Sequence, residues 1–342
     1  MEAAQPVIVL PNLAMKFLRP ILLAASVALI ADARGSVTIA WVTVGDAGNA
    51  ADPTTGYGAV AYAYQIGKYE VTNAEYTSFL NAVDPEGANA NGVYNVDMDS
   101  VRGGITYAAG AASGAKYTIR SNMGDKPVNQ VSWYDAARFT NWLGNGQGAG
   151  STETGAYTLN GSTTGIITKN VGATVYLPSE DEWYKAAYYD PTPSAGGGDN
   201  YWLFATRSDT TPTVASANST GVISNPGANV ANHYSVADWN SQTGNVTTVG
   251  SAGAGNYFGT ADQAGNVWEW NDAVIDTTFR GLRGGSWSDG AFALAAGTRT
   301  RFSPSNENNI VGFRVASVPV PEPSSFFPAM LICIGVMMRR RR

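Results

Sequence analysis

The stretch from Asp262 to Ala316 limits most sharply what this chain can fold into. It holds DQAGNVWEW (Asp262 to Trp270), LRGGSW (Leu282 to Trp287) and IVGFRVA (Ile310 to Ala316). Bulky tryptophans alternate there with glycines, which permit positive φ or let two backbones pass close together. This is how a strand-poor core is filled. Trp268 and Trp270, two apart on an extended segment, share one face, and Glu269 points to the other. With 39 glycines and only 14% charged residues, the composition favours a loop-rich globular protein over a helical one. The 44% hydrophobic content suffices for a core.

Upstream, three segments carry helix signals. In YEVTNAEYTSFL, Thr72 and Glu75 form a capping box, and Tyr76, Phe79, Leu80 and Val83 follow the spacing of a buried helical stripe, closed by Asp84-Pro85. Ser132 caps a second helix with Trp133, Ala136, Ala137 and Thr140 on one side, widened by Phe139, Trp142 and Leu143. Ser179 and Glu182 form a further capping box after the short strand Val175 to Leu177. The crowded acids Glu180, Asp181 and Glu182 are read as stabilising the positive end of that helix. Ser36 to Val44, Ala59 to Tyr69 and Lys116 to Arg120 read as strands. The Ser/Thr/Asn/Gly-rich run Ser208 to Gly255 reads as irregular surface loop, the kind of segment in which binding resides.

Taken together, YEVTNAEYTSFL, PVNQVSWYDAARFTNWL, VYLPSEDEWYKAA and the three motifs of the Asp262 to Ala316 stretch resemble the formylglycine-generating (sulfatase-modifying factor) domain family. The resemblance runs from about Gln65 to Ala316. It implies an α+β, C-type-lectin-like fold, with the domain placed at residues 36–317. It also implies a calcium site in which Asp262 and Glu269 give side-chain oxygens and Gly265 and Val267 give carbonyls. Calcium takes six to eight hard oxygen ligands, and a glycine turn exposes carbonyls, so the implied set is chemically reasonable. The competing reading pairs Asp262 and Glu269 with Arg283 or Arg314. A second family calcium site would use the loop around Asn232, where the match is poor.

Enzymes of this family hold copper with two cysteines shortly after the RGGSW-like motif. Here those positions fall near Asp289 and Leu294, and the one cysteine of the chain is Cys333. No copper is therefore expected, since soft thiolates are what hold Cu(I). A related branch that makes C–S bonds uses an iron site rich in histidine on a separate helical domain; this chain has a single histidine, His233. That count also excludes Cys/His zinc sites, and His233 has no nucleophile motif beside it. Arg283, Arg299, Arg301 and Arg314 are assigned to internal pairs with Glu269 or Asp272. Trp287, Trp239, Trp202 and Tyr201 offer stacking surfaces for sugar rings wherever they are exposed.

The ends read as sorting segments. Lys16 and Arg19, the apolar run Ile21 to Ile30 and Ala31-Asp32-Ala33 have the form of a secretory signal, assigned to residues 15–33 with a start at Met15. At the other end, Pro319-Val-Pro-Glu-Pro, the apolar run Phe326 to Met338 and Arg339 to Arg342 resemble a PEP-CTERM sorting signal over residues 318–342. That resemblance implies an exosortase-type partner and a transient membrane contact, the arginines staying on the cytoplasmic side. The formal net charge is −6. Without the six basic and three acidic residues of the two tails the domain is left with 15 positive and 24 negative charges, near −9. Such a charge disfavours nucleic acid and anionic membrane as partners. The reading is an exported surface or matrix domain, non-catalytic, that binds a glycan or a protein. The alternatives are an oxidoreductase relative with altered chemistry, and a purely structural matrix component.

Overall fold

Two four-stranded sheets and three helices position everything else. The computed structural model describes Met1 and residues 36–192, 198–253 and 255–319. The assigned signal (15–33) and nearly all of the sorting tail (318–342) lie outside the described residues.

The first sheet joins distant parts of the sequence. Strands β1 (Trp41–Val44) and β2 (Tyr64–Gly67) run antiparallel, and β12 (Ala316–Ser317) inserts between β2 and β5 (Val175–Tyr176). Ala316 lies opposite both Ile66 and Tyr176, so the end of the motif-rich stretch is fastened to the beginning of the domain. The second sheet has the order β10 (Thr300–Phe302), β9 (Phe279–Arg283), β8 (Trp268–Ile275) and β11 (Val311–Phe313). Strands β8 and β9 form an antiparallel pair interrupted by a bulge between Trp270 and Val274, while β11 runs parallel to β8. Two minor pairs complete the strands: β3 (Ile105–Tyr107) with β4 (Tyr117–Ile119), and β6 (Thr213–Val214) with β7 (Val230–Ala231).

Helices α1 (Asn73–Val83), α2 (Trp133–Gly144) and α3 (Glu180–Tyr188) all begin with a reciprocal capping box. In each, the hydroxyl of Thr72, Ser132 or Ser179 accepts from the amide three residues on, and the acid there accepts from the cap amide. Two otherwise unpaired donors are satisfied each time. The apolar faces meet in an aromatic cluster: Tyr76 and Phe79 of α1, Phe139 and Trp142 of α2, and Phe313 of β11, with ring centres 5.1–6.4 Å apart. Such pairs add to the area term of burial. This is an α+β fold of few, short elements.

The stretch Ser208 to Gly255 is largely irregular, as expected, but its segments 230–233 and 244–247 are buried rather than at the surface. Trp239, Val246, Val267 and Trp287 form a second small core with Met123, all 6% exposed or less. The polar residues beside it are buried and bonded to one another. Asn232 Nδ2 donates to the Asn245 carbonyl at 2.9 Å and to Asn266 Oδ1 at 3.2 Å, and Thr247 N donates to Asn266 Oδ1 at 2.9 Å. Apolar periodicity is blind to a segment buried through side-chain amides.

Candidate functional site

The centre of the motif-rich stretch is a buried ion pair. Glu269 and Arg314 are both fully buried, with Arg314 Nε 2.5 Å from Glu269 Oε2 and Nη2 2.6 Å from Oε1. The Trp183 indole donates to Oε2 at 2.7 Å. Arg314 also donates to the carbonyls of Gly67, Lys68 and Ala261 at 2.9–3.2 Å. One guanidinium thus ties β2, the approach to Asp262 and β8 together, which explains why GFR follows GNVWEW in this fold. Of the two arginines weighed as partners of Glu269, it is Arg314 that pairs with it.

Glu70 and Asp262 also face this guanidinium. Glu70 is 1% exposed; one oxygen accepts from Asn266 Nδ2 at 3.1 Å, and the other has no partner among the described residues. Burial, then the Asp262 charge, push the Glu70 carboxyl well above the usual range. Burial raises Asp262 to about 6, against a hydrogen bond from Gly250 N and the attraction of Arg314. Burial alone would disfavour the charge on Arg314, but Glu269, Glu70 and Asp262 hold its pKa above the ordinary value. Three carboxyls against one guanidinium cannot all stay ionised, and the raised pKa values of Glu70 and Asp262 show the crowding.

Of the four residues assigned to calcium, Asp262 and Glu269 both act on this guanidinium. Asp262 adopts a left-handed backbone (φ 60°), as do Gly265 (φ 84°) and Asn266 (φ 62°). Gly265 packs so closely on the Asn232 carbonyl that a side chain there would collide with it. Among the described residues, no hydrogen bond reaches the carbonyls of Gly265 or Val267. Two unpaired carbonyls and the Asp262 carboxyl are oxygen donors of the type a hard divalent cation takes. Glu269 fits less freely: both of its oxygens are already held, and one lone pair on Oε1 is what it has left to offer. Among the described residues no three His, Cys, Asp or Glu side chains group as a cage, so any such site depends on the backbone oxygens.

The other charged residues have internal work. Glu180 receives Arg283 Nε at 2.8 Å and Arg299 Nη2 at 2.7 Å. Arg301 pairs with Asp276, and Arg280 with Asp272 at 3.0 Å. The expected acceptors, Glu269 and Asp272, therefore serve only Arg314 of the four arginines named; sequence proximity was a poor guide to partners. The three acids opening α3 also differ in use. Glu180 binds arginines, Asp181 accepts from Gly58 N at 2.9 Å, and Glu182 caps the helix and accepts from Tyr176. His233 is 1% exposed beside the Pro212 carbonyl, and burial lowers its pKa.

The two positions aligned with the family's cysteine pair are filled. Asp289 Oδ2 accepts from Trp268 Nε1 at 2.9 Å, from Ser286 N at 3.0 Å and from Ser286 Oγ at 2.5 Å, so this carboxylate clasps the turn after β9. Leu294 is fully buried. Between them Phe292 is 74% exposed, and Tyr234 beside Gly290 is 62% exposed. Tyr234 and Ser235 are consecutive left-handed residues, held by bonds from their amides to the carbonyls of Asp289 and Trp287, both 2.8 Å. The turn so held leaves the Tyr234 ring exposed. Neither Phe292 nor Tyr234 stood out in the sequence. Of the proposed stacking residues, Trp287, Trp239 and Tyr201 are buried, and Trp202 is half-buried at a cavity.

No curated protein matches the sequence. Among solved structures, CarF is 23% identical, with a TM-score of 0.50 over 83% of this chain and 99% of that one. Treponema denticola variable protein 1 is 22% identical, with a TM-score of 0.49 over 84% of this chain and 97% of that one. PvdO from Pseudomonas aeruginosa is 20% identical, with a TM-score of 0.43 over 83% and 92%. The profile of the sulfatase-modifying factor enzyme 1-like domain matches residues 39–318. With a C-type-lectin-like fold and a family match over most of its length, this chain belongs to the sulfatase-modifying factor domain family.

Proposed function

We propose that this protein is an exported, non-catalytic binding module of the sulfatase-modifying factor family, acting at the cell surface or in an extracellular matrix. The observation that carries the reading is the state of the two aligned cysteine positions. Asp289 is spent on Trp268 and Ser286, and Leu294 is sealed in the core. Neither supplies a thiolate, and the soft ligand pair that Cu(I) needs is missing. The exposed Phe292 and Tyr234 beside them suit recognition of a glycan or protein. Export rests on the signal assigned to residues 15–33, and retention on the PEP-CTERM-like tail and an exosortase-type partner.

Calcium belongs to this proposal as a structural ion at Asp262, Gly265, Val267 and Glu269, where it would take the place of protons on the crowded carboxyls. A bound ion would stabilise the folded state by about 2.7 kcal/mol at a concentration one hundred times its Kd. Thermal unfolding with calcium and with a chelator tests it; equal midpoints would refute the ion.

The alternative is an oxidoreductase relative with altered chemistry. Screening the purified protein against extracellular glycans and matrix proteins, with oxygen uptake followed on the same preparation, separates the two. Saturable retention of one ligand class without oxygen uptake supports the binding module. Oxygen uptake with turnover of a thiol-bearing peptide would overturn it.

A further inference from the structure

A second recognition feature lies away from Asp289, where the segment after α3 meets the loop before β7. A cavity of about 410 Å³ is lined by Trp202, Thr206, Arg207, Ser208, Thr210 and Asn229, with Ala228 on its rim. That volume falls in the range of about 300–1,000 Å³ common for small-molecule pockets.

Its anchor is Asp190, which is fully buried. Asp190 Oδ2 accepts from Trp202 Nε1 at 3.1 Å, from Arg207 Nε at 3.2 Å and from Arg207 Nη2 at 2.8 Å. Oδ1 accepts from Thr192 N at 3.0 Å and from its hydroxyl at 2.5 Å. Burial alone would raise this carboxyl, but the Thr192, Trp202 and Arg207 bonds hold it below the ordinary value, so it stays ionised. One buried carboxylate thus fixes both an indole and a guanidinium at the cavity.

Arg207 is not used up by this. Its side chain is 44% exposed, its backbone is left-handed (φ 56°), and among the described residues Nη1 makes no hydrogen bond. Beneath it the half-exposed Tyr257 ring lies 5.9 Å from the guanidinium. The remaining wall is a hydroxyl–amide network. Thr206 Oγ1 donates to Asn229 Oδ1 at 2.6 Å, and Asn229 Nδ2 reaches Ser208 Oγ and Thr210 Oγ1 at 3.2 Å each. The hydroxyls of Thr206 and Thr210 keep acceptor capacity, which suits a ligand rich in O–H donors, whereas Ser208 Oγ already accepts from Thr210 N and Asn229 Nδ2.

Charge decides the class of ligand. Among the described residues, Arg207 is the one ionisable residue lining this cavity, and Asp190 already balances it. A phosphate dianion needs more positive charge than that. A single carboxylate can take the free edge of a guanidinium whose other edge is held. The geometry points to this cavity as a binding site for a carboxylate-bearing saccharide, with the ring against Trp202, the hydroxyls on the Thr206–Asn229–Thr210 wall and the carboxylate on Arg207. The inference rests on the binding-module reading and gives it a ligand class.

Calorimetric titration of the purified protein with an oligogalacturonate tests it, beside the methyl-esterified oligomer, citrate and inorganic phosphate. The acid oligomer is expected to bind, the ester about tenfold more weakly, and citrate and phosphate not to bind. Ala228→Phe, at an exposed position that leaves the Asp190 anchor intact, is expected to abolish binding; Arg207→Lys should weaken the acid oligomer toward the level of the ester. Equal binding of acid and ester would overturn the carboxylate assignment. Binding unchanged by Ala228→Phe would overturn this location while leaving the binding-module reading in place. Failure of every saccharide overturns the inference, and the wider ligand screen then judges the binding module separately.

Discussion

Replacing Arg314 by methionine should be the most damaging single change in the domain. The guanidinium makes two charged bonds to Glu269 and three to backbone carbonyls, all at 2.5–3.2 Å, and both bonds to Glu269 are buried. Its loss strands the Glu269 carboxylate in the core and removes a donor from the Gly67 and Ala261 carbonyls, while the Lys68 carbonyl keeps the Ala261 amide. Breaking a buried pair by removing one partner costs about 3–5 kcal/mol, and unsatisfied carbonyls add to that. A domain stabilised by roughly 5–15 kcal/mol would lose a large share of its stability. Urea unfolding followed by tryptophan fluorescence measures the loss. Arg314→Met with Glu269→Leu should recover part of it, because the stranded charge is gone. A loss under about 1 kcal/mol for Arg314→Met would refute the reasoning and leave the pair as an ornament of the fold.

Three further outcomes are expected. Ser132→Ala should destabilise the protein by about 1–2 kcal/mol, because it removes one arm of the α2 capping box; urea midpoints check it. Gly265→Ala should cost about 3 kcal/mol or more, since it combines positive φ with a collision against the Asn232 carbonyl; unchanged thermal stability would show that this turn can relax. Stability should fall as pH rises from about 4 to 7. Burial raises Asp135 to about 7 and Asp272 to about 6, so the folded state binds more protons than the unfolded chain across this window. The contribution is complete at the acid end and lost as pH passes the folded values; a flat profile of unfolding midpoints would contradict it.

Legibility in the sequence followed the range of the interaction. Capping boxes are local, and all three helix starts could be read from residues three apart. The core faces of α1 and α2 obeyed helical spacing. Glu269 and Arg314 lie 45 residues apart, yet their pairing was one of two options because both sit in motifs. Glu180 with Arg283, 103 residues apart, left no local trace. The Trp202–Arg207 cavity was half-visible: the indole was singled out, but the buried Asp190 that orients it reads as an ordinary loop aspartate. The amide network of Asn232, Asn245 and Asn266 hid a buried segment behind a surface composition.

The central claim is that this family scaffold binds ligand without redox turnover. The most direct measurement loads the purified protein with Cu(I), removes free metal, and records bound copper and oxygen uptake in the presence of a cysteine-containing peptide. The account predicts no retained stoichiometric copper and no peptide-dependent oxygen uptake. One copper per chain with peptide-dependent uptake would contradict it.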